Sequence, residues 1–252
     1  MNWTALDPAL LGPPFLTGLL ILATHVPLGR QVLARGIVFL DLAVAQIAGM
    51  GVIVAHFAGL ESGWAVQIFA VMAAIAGAML LHWAERRWPE MQEALIGSVF
   101  VVAASAGLLL LAHDPHGGES LHDLLAGQIL WVGNTQLMIA AAVTALLGLL
   151  LLAGFAHVGF GFYLVFACAV TLSVQLAGIY LVFASLIIPA LAVRRLPGRR
   201  GLSTAWTIGA TGYALGLVFS AWFDLPSGAL IVCALAGVAL VSGFFHGKRN
   251  SM

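Results

Sequence analysis

Apolar residues run through this chain in long blocks broken by short polar punctuation, with no sustained alternation of the kind a half-buried strand needs. A bilayer's hydrocarbon core is about 30 Å thick, so a helix crosses it with roughly 20 mostly apolar residues. Nine blocks fit that description: 10–28, 37–57, 64–83, 94–112, 135–155, 159–176, 178–193, 203–223 and 228–245. In lipid each backbone N–H and C=O must be satisfied within the protein, which leaves helices as the natural solution for such blocks. The pattern therefore predicts an all-α, polytopic membrane protein of about nine transmembrane helices. The stretch 159–193 is almost unbroken, so its two blocks read either as separate helices or as one long or kinked element around Gly178. Glycine recurs with Ala and Ser inside the blocks, as in IAGMG (47–51) and at Gly209, Gly212 and Gly216, where small residues let helix backbones pack closely. With no soluble domain, low-complexity segment or clear internal repeat, residues 1–252 read as one membrane domain.

Composition agrees with the pattern. Of 252 residues, 62% are apolar and only 8% charged, with a mean hydropathy of +1.07, whereas charged residues make up about a quarter of a soluble domain. Net charge is zero, so charge balance points to no nucleic-acid partner. The two cysteines, Cys168 and Cys233, lie in separate apolar blocks without CxxC or CxxH spacing, and read as small core residues. No basic residue precedes the first block, only Asp7, so the first span is expected to be retained.

What the charges add is orientation. The block from Gly178 is uncharged until Arg194 and Arg195, and Arg199 and Arg200 follow Pro197-Gly198. Lys and Arg stay on the cytoplasmic side of a span. Nine spans with an outside N-terminus and a cytoplasmic C-terminus gather all ten basic residues on the inside: Arg30, Arg35, Arg86, Arg87, those four, Lys248 and Arg249. The outside then holds Glu61, Asp114, Glu119, Asp123 and Asp224 and no basic residue; an eight-span count would break this sorting.

Two groups of residues could carry chemistry. Asp41 lies just past Arg35 at the cytoplasmic end of the second span, with Gln46 five residues on. Ionisable residues within a span are costly and usually face a cavity or a partner. Asp41 reads either as the partner of Arg30 or Arg35, or with Gln46 as part of a hydrophilic path. The loop HDPHGGESLHDLL gathers His113, Asp114, His116, Glu119, His122 and Asp123 within eleven residues, around turn-forming Pro115 and Gly117-Gly118. Imidazole and carboxylate are the usual ligands of divalent first-row metals, so the loop reads either as a metal-receiving site or as a solvated acidic loop. His25, His56, His82, Gln67 and Gln175 are scattered and read as packed or interfacial polar residues. HExxH, Gly-x-Ser-x-Gly and Walker A patterns are all missing, so work against a gradient would need an outside energy source.

Five stretches, in order, resemble the permease subunit of ABC importers for divalent metals, the ABC-3 family of zinc, manganese and iron uptake. They are HVPLGRQVLARGIVFLD (25–41), EALIGSVFVVAASAGLLL (93–110), LLAGQILWV (124–132), LAGIYLVFASLIIPALAVR (176–194) and GLVFSAWFDLPSGALIV (216–232). The fourth, with Gly-x-x-Leu-Val-x-x-x-Leu-Ile-Ile-Pro-Ala, is the most specific. The resemblance implies a multi-pass permease of the bacterial cytoplasmic (inner) membrane, in contact with membrane lipid. It further implies a homodimer or paired permease, with a cytoplasmic ABC ATPase and an external metal-binding protein. By the same resemblance the transported ion is expected to be zinc or manganese, with no permanently bound cofactor and with ATP hydrolysis left to the partner, so that the chain is not itself an enzyme. The family's aspartate in the second span matches Asp41, but the histidine one turn later is Ala45 here, leaving Gln46 as the nearest substitute. The family's Phe-Asp-x-Glu-x-Ala-x-x-x-Gly segment, which forms the helix seated in the ATPase, is reduced to GFAHVG (154–159). Either the ATPase docks on loops 84–93 or 194–203, or the chain is a shortened, uncoupled relative acting as a membrane interaction protein or passive metal channel.

Overall fold

A computed structural model of the chain describes residues 8–60, 62–111, 125, 127–157 and 159–249, with side chains between 10 and 243. Among these residues the regular structure is helical, with no strand. Nine α-helices follow one another: α1 (Pro8–Arg35), α2 (Leu40–Phe57), α3 (Gly63–Arg87), α4 (Gln92–Leu111), α5 (Asn134–Leu152), α6 (Gly159–Ala177), α7 (Ile179–Ala192), α8 (Gly198–Phe223) and α9 (Ser227–Arg249). They match the nine apolar blocks in order. The largest boundary difference is at α1, which runs to Arg35 through Pro27 although the block ends near residue 28. Its last two turns carry Arg30, Gln31 and Arg35.

Seven of the helices are long and apolar enough to cross a membrane. The chain is a multi-pass membrane protein. The exception that matters is α7, whose 14 residues extend about 21 Å at roughly 1.5 Å per residue, short of the hydrocarbon thickness. It begins where α6 stops, at Gly178, whose φ of 77° is the left-handed conformation that glycine adopts freely. Residues 159–193 are thus two helices with a sharp break at Gly178. The break is buried, and Gly127 lies against it so closely that a Cβ there would overlap the Ala177 carbonyl and the Gly178 nitrogen.

Helix direction follows from the contacts between small residues and their neighbours. Gly51 meets Ala70 and Ala73 while Gly77 meets Ile47, so α2 and α3 are antiparallel. Gly18 faces Tyr213 and Gly209 faces Leu22, so α1 and α8 are antiparallel; Gly212 against Leu235 and Gly216 against Ile231 make α9 antiparallel to α8. The helices pack as two groups, α1 with α7, α8 and α9, and α2 with α3, α4 and α6; α5 leans on α1 and α6. The best-enclosed spans are α6 and α2, 72% and 67% buried, against 17% for α5 and 22% for α4, whose apolar side chains are largely exposed on the outside of the bundle.

One end of this bundle is basic. Arg30 donates from Nη1 to the Gly198 carbonyl at 3.0 Å, Arg35 lies 4.1 Å over the Phe162 ring, and Gln92 donates to the Tyr163 hydroxyl at 3.0 Å. These contacts bring together the ends of α1 and α7 with the starts of α4, α6 and α8. Arg86 and Arg87, at the end of α3, and Arg194, Arg195, Arg199 and Arg200, around the α7–α8 turn, fall at this same end.

Candidate metal path

Asp41 owes its position to a tight turn between α1 and α2. Gly36 takes a φ of 72°, Ile37 N–H donates back to Val32 O at 3.2 Å, and Leu40 N–H donates to Ile37 O at 3.1 Å. The Phe39 N–H donates to Glu93 Oε1 at 3.3 Å, tying this turn to the start of α4. Asp41 therefore enters in the first turn of α2, fully buried. Both of its carboxylate oxygens are enclosed without a hydrogen-bond partner.

Neither arginine available in sequence pairs with it. Arg30 reaches Gly198 and Arg35 packs on Phe162, and the ion pair formed among the described residues is His82 with Glu85 at 3.4 Å. A buried carboxylate without a counter-charge costs several kcal/mol, and among the described residues nothing offsets that cost at Asp41. The face above it is smooth: Ala45, one turn on, is fully buried, and Ala48 is nearly so. Gln46 is also buried, but five residues of helix rotate it about 140° from Asp41, so the two amphiphilic side chains leave α2 in different directions.

His25, a scattered polar residue in sequence, is a second enclosed group. It is fully buried in α1. Its Nδ1 lies 3.0 Å from the Ile21 carbonyl and 3.2 Å from Thr24 Oγ1. A donated Nδ1–H fixes the tautomer and leaves Nε2 with a lone pair, and Nε2 has no partner. His25 shares the α1 stripe of Leu22 and Gly29, which face α8 and α7 respectively. Near this stripe Ser185 and Tyr213 bond at 2.8 Å and join α7 to α8. Sequence offered only one signal for it, an imidazole deep inside an apolar block.

Among the described residues no three His, Cys, Asp or Glu side chains converge as a metal cluster. His113, His116, Glu119, His122 and Asp123 lie outside the described residues. The end of α4 and the start of α5 lie at the end of the bundle away from the arginines.

The α5–α6 junction holds only a three-residue turn, Phe155–His157. It folds back on α6, where Gly161 lies against the Phe155 carbonyl, and Ala156 is buried. Among the described residues of this junction no longer helix leaves the bundle.

The chain is 25% identical over 247 residues to the manganese transport system membrane protein MntC of Halalkalibacterium halodurans, covering 88% of this chain and 82% of that one. An uncharacterized membrane protein of Synechocystis sp. is 25% identical over 243 residues, covering 87% and 84%. Among solved structures, PsaBC from Streptococcus pneumoniae in complex with Fab superposes with a TM-score of 0.71 at 22% identity, over 92% of this chain and 90% of that one. An inward-facing metal-chelate type ABC transporter superposes at 0.70 and 18% identity, over 92% and 85%. The family match falls in two segments, residues 9–158 and 154–246, which meet at the Phe155–His157 turn. A nine-helix bundle with one basic end, matched along nearly its whole length, makes this chain a membrane permease of the ABC 3 transport family.

Proposed function

We propose that this permease carries a divalent metal, manganese or zinc, into the cytoplasm through a path that includes Asp41, driven by ATP hydrolysis on a separate subunit. The observation that carries the reading is the Asp41 carboxylate, fully buried with both oxygens unpartnered. Such a group is expensive to keep unless a cation visits it, and a hard oxygen donor suits a divalent ion. Manganese is favoured by the MntC relatives, named as manganese transport proteins.

In this reading the basic end faces the cytoplasm, and the loop bearing His113, His116, Glu119, His122 and Asp123 receives the metal on the other side from an external binding protein. Gln46, about 140° round α2 from Asp41, is left outside this path, and a second permease completes it. The test is radiolabelled manganese and zinc uptake in cells lacking the native gene and complemented with wild type or Asp41→Ala. Uptake at least tenfold lower with undiminished membrane levels of the variant is expected; unchanged uptake would refute the role of Asp41.

The short α5–α6 turn and the divided family match support a second reading, a permease that has lost coupling and passes metal down its gradient. Deleting the partner ATPase separates the two, since passive flux survives its loss and driven uptake does not.

A further inference from the structure

If an ATPase drives this permease, it must grip the basic end, and the α5–α6 junction offers it little to hold. That junction is a three-residue turn folded back on α6, and residues 153–158 contain no Asp, Glu, Lys or Arg. Residues 85–93, between α3 and α4, carry Arg86 and Arg87 but also Glu85, Glu90 and Glu93. Among the described junctions the α7–α8 one is the most strongly charged with a single sign. Arg194, Arg195, Arg199 and Arg200 fall within seven residues. All four are exposed, and none belongs to the ion pair formed among the described residues.

This junction is also well built. Arg194 N–H donates to Leu191 O at 3.3 Å and Leu196 N–H to Val193 O at 2.8 Å, Val193 is buried, and Gly201 packs against the Leu196 carbonyl. Arg30 of α1 holds the turn through Gly198 O at 3.0 Å. Directly upstream is α7, the short helix that starts at the Gly178 break, and directly downstream is α8, joined to α7 by the Ser185–Tyr213 bond. A push on this turn therefore reaches α1, α7 and α8 together. Four guanidiniums without counter-charges call for an acidic surface.

We propose that the Arg194–Arg200 junction is the seat of the cytoplasmic ATPase, which docks on it through an acidic face. The proposal rests on the ATP-driven reading above. The experiment measures the dissociation constant between a purified cytoplasmic ABC ATPase from the same organism and the full permease in nanodiscs containing phosphatidylglycerol. The arms are wild type, a variant with all four arginines changed to Glu, one with all four changed to Lys, and His157→Glu.

The expected result is at least a tenfold weaker constant for the Glu variant, near-wild-type binding for the Lys variant and for His157→Glu, and wild-type affinity that falls steeply with salt. Monodisperse elution and an unchanged helical spectrum show whether the Glu variant folds, and the salt dependence of wild type tests the charge requirement without any substitution. Equal binding by the Glu variant and wild type overturns the seat but leaves the ATP-driven reading standing. The seat is equally overturned if the Glu variant differs from wild type only in its response to replacing phosphatidylglycerol by phosphatidylcholine, since the arginines then serve lipid headgroups. A loss confined to His157→Glu moves docking to the α5–α6 turn. Failure of wild type to bind any ATPase overturns both readings.

Discussion

Asp41→Ala should make this protein more stable and less useful. In the metal-free protein the carboxylate is buried with no partner for either oxygen, and leaving a buried polar group unsatisfied costs about 1–3 kcal/mol, more when it is charged. Removing it recovers that cost. Against this stands its position in the first turn of α2, where a negative charge gains about 0.3–1 kcal/mol from the helix dipole. Alanine returns roughly 0.5 kcal/mol in helix propensity. The desolvation term wins, for a net gain of about 1–2 kcal/mol. For a chain of this size each kcal/mol moves the melting temperature by roughly 2–4 °C, so purified Asp41→Ala should melt about 2–8 °C higher in chelator-treated detergent. Adding manganese should reverse the ranking. A ligand at a hundredfold its Kd stabilises by about 2.7 kcal/mol, which wild type should gain and the variant should not. A variant that melts lower than wild type without metal, or gains as much from manganese, would refute the claim that Asp41 is an unpartnered cation site.

Three further outcomes follow from particular contacts. Gly127→Ala places a side chain where the Ala177–Gly178 backbone already lies and at a φ of 69°; the left-handed backbone alone costs about 1–2 kcal/mol, so the melting temperature should drop by several degrees, and an unchanged melt would refute the close packing of residues 127 and 178. Tyr213→Phe removes the 2.8 Å bond to Ser185 but keeps the ring against Gly18, so it should cost about 0.5–1.5 kcal/mol, whereas Tyr213→Ala should cost about 3–5 kcal/mol; similar thermal shifts for the two would show that the ring does not carry this contact. Replacing His113, His116 and His122 together by Ala should raise the metal concentration for half-maximal uptake several-fold, and an unchanged value would leave the loop without a receiving role.

The helical framework is readable in sequence because apolar blocks of spanning length leave the backbone few alternatives, whereas the unbroken 159–193 stretch allows two helices or one kinked element around Gly178. The surroundings of Asp41 are not readable in this way. Arg30 and Arg35 are its nearest basic neighbours along the chain, and local reasoning offers either as a partner. Both are claimed by residues far away in sequence, Gly198 and Phe162, and only the packing of α1 against α6 and α8 decides that. His25 was hidden for a related reason: an imidazole in an apolar block looks the same whether or not its second nitrogen finds a partner. The reduced α5–α6 junction, by contrast, was plain from residue count alone, because six residues cannot form a projecting helix and return.

The short seventh helix gives the surrounding lipid a mechanical hold on the protein. The 28 residues of α1 and the 26 of α8 measure about 42 Å and 39 Å, so they tilt when the hydrocarbon layer thins or thickens, at a cost of a fraction of a kcal/mol per Å of mismatch. α7 has nine of its residues buried between its neighbours and meets no such demand. Hydrophobic mismatch therefore falls on the long helices, while α7, at about 21 Å, is set by the neighbours that bury it.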